Sequence, residues 1–357
     1  MKWIATSFAL MLALSGYAEN ARAQALQKIT VLHSQPQITS AFAYSSSLPA
    51  YLGYFKQEGL EVEVNPMPGA AAAMQLVVGG RADFAIGNPS GAMIAIQKGA
   101  DVRFFYTSIR GDIFGVALPA ESGMKSLADL KGKTIGVSSF ASGGTNYAKG
   151  LMKTIGLESG RDYNLVEVGV GARAAGAYRS KQIDAFSLWD EMYVTLQQNG
   201  IPFSSIIRDP RADGHAVGSI LAKNADYTAR RKTLIGVARA IAKAQLFQYT
   251  NPEAAIRIHW KVYPQTAPRD GVTDAAVKRE LNVLAVRTVL ISKNAMKTNK
   301  WGDLPRDVME KFQSYLVETE ALPKAQDVGS YYTNDLIDEI NKFDEAAVIR
   351  QAREFRL

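Results

Sequence analysis

The chain has 357 residues, which at roughly 150 residues per domain points to two domains. It is 47% hydrophobic and 21% charged, enough apolar surface for a packed core, so a disordered chain is excluded. With no Cys, and with His33, His215 and His259 far apart, disulfides, iron–sulfur clusters, a Cys nucleophile and common zinc motifs are excluded; no metal or cofactor is expected.

The N-terminus carries Lys2, then a mostly apolar run from Ile4 to Leu14, then small residues and Ala21-Arg22-Ala23. This is the three-part pattern of a secretory signal peptide. The run is shorter than the roughly 20 residues needed to span a bilayer. Residues 1–23 are therefore expected to be removed, with Ala18 and Ala25 as alternative cleavage points. No Cys is present to carry a lipid, so the mature chain should diffuse freely in a periplasm. The formal net charge is +7, with its densest basic cluster at Arg230, Arg231 and Lys232. Lacking a larger patch or a motif, this reads as a solvated surface with a weak bias toward anions, not a nucleic-acid interface.

Strand and helix patterns then alternate. Strands are expected at Lys28–Leu32, Leu60–Val64, Asp83–Ile86, Val102–Tyr106 and Ile113–Leu118. Between them, helical spacing covers Ser47–Gln57, Ala70–Val78 and Pro89–Gln97. A second series has strands at Thr134–Val137, Asn164–Val168 and Ile183–Leu188. Its helices span Gly143–Ile155, Ala172–Arg179 and Glu191–Gln198, after a short one beginning at Ser126. Ala216–Ala222 is the last clear strand. Helices follow at Ala225–Tyr249, Asn251–Trp260, Ala275–Thr288, Asp307–Glu318 and Asn334–Phe343. Repeated βαβ units demand mostly parallel sheets covered by helices on both faces. The two series echo each other: Arg81-Ala82-Asp83-Phe84-Ala85 matches Gln182-Ile183-Asp184-Ala185-Phe186, with an Asp opening a buried strand in each.

One stretch is specific. Leu48-Pro49-Ala50-Tyr51-Leu52-Gly53-Tyr54-Phe55, followed by Glu58-Gly59-Leu60-Glu61-Val62, resembles the "GYF…EGL-x-V" segment of the nitrate/sulfonate/taurine and thiamine-precursor family of periplasmic substrate-binding proteins. Gly79 to Gly87, Asp129-Leu130-Lys131-Gly132-Lys133 and Leu188-Trp189-Asp190 resemble further segments of that family, in order. Glu191 departs from the Pro common there in the sulfonate branch. The resemblance implies a bilobal type II periplasmic-binding-protein fold with a helical C-terminal extension. It also implies two crossings between lobes, a ligand in the cleft, and delivery to the permease of an ABC importer. We place the crossings near Arg110–Asp112 and Asp209–His215. Lobe one is then 24–112 with 216–357, and lobe two 113–215.

In open parallel sheets, ligands bind beyond the carboxyl ends of the strands, where helix N-termini suit anions. Candidate ligand residues follow from these junctions. Ser34 and Gln35 follow the first strand, Gly69 and Ala70 the second, and Asn88 and Ser90 the third. Their counterparts in lobe two are Phe140, Ser142, Gly143, Gly144 and Thr145, then Trp189 and Asp190. Arg173 is a candidate clamp for a carboxylate or sulfonate. Each has a plainer reading: Ser142, Thr145 and Asn88 as caps or turn residues, Arg173 as a surface residue, His33 as a core residue.

These residues argue for reversible capture of a small organic solute by a monomer, an anion first and a flat heteroaromatic second, with no reaction. The thiamine-pyrimidine synthase relatives use a Cys-rich segment that this chain lacks, and no hydrolase elbow is present. A sensory role feeding a membrane receptor is the other alternative.

Overall fold

The computed structural model describes residues 25–295 and 297–357. The expected export segment, 1–23, lies outside the described residues. The strands are β1 (Gln27–His33), β2 (Leu60–Pro66), β3 (Phe84–Gly87), β4 (Val102–Arg110), β5 (Val116–Pro119), β6 (Thr134–Val137), β7 (Asn164–Glu167), β8 (Ala185–Ser187), β9 (Phe203–Ile207) and β10 (Ala216–Lys223). They form two five-stranded sheets, ordered β2-β1-β3-β10-β4 and β7-β6-β8-β5-β9. Helices of eight or more residues are α1 (Ala70–Val78), α2 (Pro89–Ile96), α3 (Gly143–Lys153), α4 (Gly171–Arg179), α5 (Asp190–Gln198), α6 (Arg231–Thr250), α7 (Pro252–Val262), α8 (Asp274–Thr288), α9 (Arg306–Glu318) and α10 (Glu345–Glu354).

The expected bilobal α/β fold is the one the chain adopts, and its sheets are mixed. β10 runs antiparallel to β3 and β4, and β5 antiparallel to β8 and β9. These are the two strands that enter their sheet directly from the other lobe. The parallel strands stop at the cleft, so a strand that starts there must run backwards. The chain leaves the first sheet after Arg110 and the second after Ile207. Tyr147 ties the two connections together. Its hydroxyl donates to Asp112 Oδ2 (3.0 Å) and accepts from the Asp209 backbone N–H (2.7 Å). Burial pushes the Asp112 carboxyl up to about 6.

The echo between Asp83 and Asp184 has a structural cause. Asp83 Oδ2 accepts from the Thr30 backbone N–H in β1 (2.7 Å), and Asp184 Oδ2 accepts from that of Thr134 in β6 (2.8 Å). In both lobes the carboxylate fastens the third parallel strand to the first, supplying a partner that the ladder lacks at its start. Each then meets a cation, Arg230 at 2.5 Å and Lys133 at 3.6 Å.

Several expected elements change. The helix over Ser47–Gln57 breaks into Ser47–Tyr51 and Tyr54–Gln57 because Gly53 sits at φ +75°, outside helical space. Arg230 divides the helix over Ala225–Tyr249 into Asn224–Ala229 and α6. Of Asn334–Phe343 only Ile337–Ile340 is helical. The half-buried edge strand β9 and a 3₁₀ helix at Ser40–Ser45 carry too little periodic signal to be foreseen, whereas sequence reasoning missed α10, which has Val348 and Ala352 buried at helical spacing.

Helix α7 packs on Ser47–Tyr51, and His259, toward the C-terminal end of α7, is fully buried. Its Nε2 lies 3.2 Å from the Ile38 carbonyl and its Nδ1 3.0 Å from Ser47 Oγ. A carbonyl only accepts, so Nε2 carries a hydrogen, and in the neutral ring Nδ1 accepts from the Ser47 hydroxyl. Burial lowers the ring's pKa from 6.5 to about 4. The unfolded chain therefore binds the proton more readily between those values. Stability from this group is complete above pH 6.5 and is lost as pH falls toward 4. We expect a His259→Gln variant to show a shallower loss of urea-unfolding free energy over that window, by about 1 kcal/mol per pH unit.

Candidate functional site

The two lobes meet along the carboxyl ends of their parallel strands. Their contact is close. A β-carbon on Gly143 would lie 2.9 Å from Asn88 Cβ, and one on Gly69 would overlap the Ala141 carbonyl. Ser139 Oγ donates across the cleft to the Pro68 carbonyl, and Thr39 Oγ1 to Glu191 Oε1 at 2.9 Å. The lobes are thus shut on one another. Between them lies a cavity of about 40 Å³. That is room for very few waters, so a larger solute enters only when the lobes part.

Of the candidate residues, Ser34, Gln35, Ala70, Asn88, Ser142, Gly143 and Trp189 line this cavity. Ser90 lines an adjoining one of about 30 Å³, beside Asp112, Tyr147 and His215, that shares Asn88, Gly143, Phe114 and Val217 with the first. The remaining candidates sit elsewhere. Gly69 and Gly144 are packing positions, the latter against Phe114. Thr145 is buried and donates to the Ser139 carbonyl (2.7 Å). Phe140 is 58% exposed. Arg173 is exposed on α4, away from the cavity. Asn88 and Ser142 also cap: their side chains accept from the backbone N–H of Ser90 (2.9 Å) and Gly144 (3.2 Å), at the starts of α2 and α3.

Sequence reasoning missed Arg287. It lies on α8, in the helical tail, and is fully buried. Helix α8 packs against α5 of the second lobe and against α7 and Ser40–Ser45 of the first. Arg287 Nη2 donates to Asp190 Oδ1 at 2.5 Å and lies 4.0 Å from Glu191 Oε2. Its guanidinium sits 4.7 Å from the Phe42 ring centre, a cation–π distance. Nε and Nη1 have no hydrogen-bond partner. A signal existed: Ala276, Val277, Val283 and Leu284 form the buried stripe of α8, and Arg287 continues it at helical spacing. A charge on an apolar stripe asks for a partner.

Glu191 is the second missed residue. It is fully buried. Its Oε1 accepts from Trp189 Nε1 (3.1 Å) as well as from Thr39. Burial first, then the neighbouring Asp190, pushes its carboxyl up to about 7, against the pull of Arg287. His33 lines the cavity beside Arg287 and is driven down to about 3 by burial, so its ring is neutral. Among the described lining residues, Arg287 is therefore the one ionic group. Around it stand the rings of Phe42, Tyr44, Phe114 and Trp189.

Residues 48–255 match the family model described as NMT1/THI5 like. The chain belongs to that family. A Brucella abortus relative described as a binding protein is 24% identical over 208 residues, covering 58% of this chain and 63% of the relative. The match thus spans under two thirds of that protein's length. A solved Bordetella bronchiseptica protein is 25% identical with a TM-score of 0.69, covering 88% of this chain and 97% of its own. The alkanesulfonate-binding protein SsuA of Xanthomonas axonopodis, solved with MOPS bound, shares the fold at 19% identity and TM-score 0.66, covering 86% and 98%. So does a desulfurization enzyme, at 14% identity and TM-score 0.57, covering 87% and 98%. This NMT1/THI5-like chain thus has a fold that serves both binding and catalysis.

Lobe closure brings Gly69 against the Ala141 backbone. Gly69 has extended backbone angles that any residue adopts, so Gly69→Ala adds a steric block without backbone strain. The expected outcome is a larger radius of gyration by small-angle scattering, with the urea midpoint little changed.

Proposed function

We propose that this protein is the solute-binding component of an ABC importer, exported to the periplasm, that closes its lobes around a small organic anion and performs no reaction. The observation that carries this reading is the interlobe cavity, walled by strand ends of both lobes and containing the buried guanidinium of Arg287 with two unpartnered nitrogens. Closure excludes water, and a charge-assisted hydrogen bond to a buried guanidinium is stronger there than in solvent. Family membership and the fold shared with SsuA support capture of a sulfonate, carboxylate or related anion. A monomer that releases its load to membrane permease subunits fits the same reading. The rings of Phe42, Tyr44, Phe114 and Trp189 favour a second ligand class, a flat heteroaromatic of the thiamine-precursor kind.

A thermal-shift screen across alkanesulfonates, carboxylates and aminopyrimidines separates these classes. A ligand at about 100 times its Kd adds ~2.7 kcal/mol of stability. The expected hits are anions, and Asn88→Ala and Trp189→Ala should weaken their binding while the proteins remain folded. Hits confined to aminopyrimidines would overturn the anion reading. Chemical conversion of a hit by the purified protein would overturn the transport reading.

A further inference from the structure

The charge around the cavity is unevenly placed. Arg287 faces the cavity, while its counter-charges, Asp190 and Glu191, lie behind it at the start of α5. One guanidinium is thus matched with two carboxyls, all buried. Asp190 Oδ2 and Glu191 Oε2 lack partners, as do Nε and Nη1 of Arg287. Those two nitrogens carry three N–H groups between them, donors on a residue that lines the cavity and available to an acceptor there. An oxyanion is the acceptor that also matches the charge. Its arrival has a cost, because a third negative group beside one cation leaves uncompensated charge in a shut, water-poor cleft.

We propose that the cavity binds the oxyanion headgroup of an aryl carboxylate or sulfonate on Nε and Nη1 of Arg287, together with one proton taken up by Glu191. This rests on the solute-binding reading of the cleft and deepens it to a headgroup, a residue and a proton. The aryl body follows from the rings lining the cavity. The proton goes to Glu191 Oε2, since Oε1 is already engaged by Thr39 and Trp189. Facing Glu191 are Asp190 on its own helix, Arg287 from α8 and Tyr44 from Ser40–Ser45. Asp190 disfavours its ionised form and Arg287 favours it, so an anion that draws on the charge of Arg287 tips Glu191 toward protonation. The carboxyl already stands at about 7, so the uptake falls in the physiological range.

The test is calorimetric titration of the purified protein with benzoate and benzenesulfonate, with benzamide and benzamidine as neutral and cationic shape controls. Titrations run at pH 6, 7 and 8 in two cationic buffers of different ionisation heat, bis-tris propane and Tris, which carry no oxyanion. We expect both anions to bind more tightly than benzamide, with affinity falling up to about tenfold per pH unit above pH 7. The heat should differ between buffers by nearly the amount that one proton requires at pH 8, by about half of it at pH 7 and by little at pH 6. Glu191→Gln should keep benzoate binding and abolish its pH dependence. Arg287→Gln should lose at least tenfold for the anions and leave benzamide unchanged. If Arg287→Gln does not fold, the Glu191→Gln and buffer readouts decide alone. Stronger binding of benzamidine, or anion affinity flat with pH in the unaltered protein, would overturn the proposal and leave the solute-binding reading standing. Absence of binding by all four compounds would overturn the aryl-oxyanion proposal; the broader ligand screen would still test the solute-binding reading independently.

Discussion

The closed arrangement turns on one guanidinium. Arg287 comes from the helical tail, reaches Asp190 and Glu191 at the start of a helix in the second lobe, and lies over Phe42 in the first. Burying three ionisable groups together is costly unless they satisfy one another. Here they do so in part. Two guanidinium nitrogens and one oxygen of each acid are left without partners. Partial satisfaction is poor design for a core and good design for a binding site, where a ligand completes the set. The same cluster joins elements of both lobes, so in the proposed solute-binding reading a ligand there bears on closure.

The rest of the architecture delivers these groups to one place. Each sheet has its parallel strands ending at the cleft, so each helix that follows such a strand begins there with unpaired backbone N–H groups. The Asp83 and Asp184 carboxylates fix the strand order in the two lobes by the same pair of hydrogen bonds. Tyr147 then clamps both connecting segments at once. Glycines at 69 and 143 let the lobes approach until backbone meets backbone. Small residues, rather than an apolar seam, thus permit tight closure, which suits an interface that must open again.

Much of the candidate site was legible because strand-to-helix junctions have a local signature. Asn88-Pro89-Ser90 and Ser142-Gly143-Gly144 read as helix starts and are helix starts, and both lie at the cleft. Arg173 and Phe140 had the right chemistry at the right ends of strands, yet both are exposed. Chemistry and chain position do not fix which way a side chain turns. The burial of Arg287 had a local signal, but its partners were illegible: more than 90 residues separate it from Asp190 and Glu191, and nothing local to α8 says which lobe it will touch.

The sequence by itself determined the two βαβ series, their internal echo, the family and the junctions from which a site could be built. All of these depend on short-range periodicity, turn residues and local motifs, which are written in neighbouring positions. Only the tertiary structure decided that a tail helix crosses back to the cleft, that its arginine is the ionic group lining the cavity, and that two acids share its charge. Those facts arise from packing among distant segments, where burial and electrostatics are set by what each group meets in space.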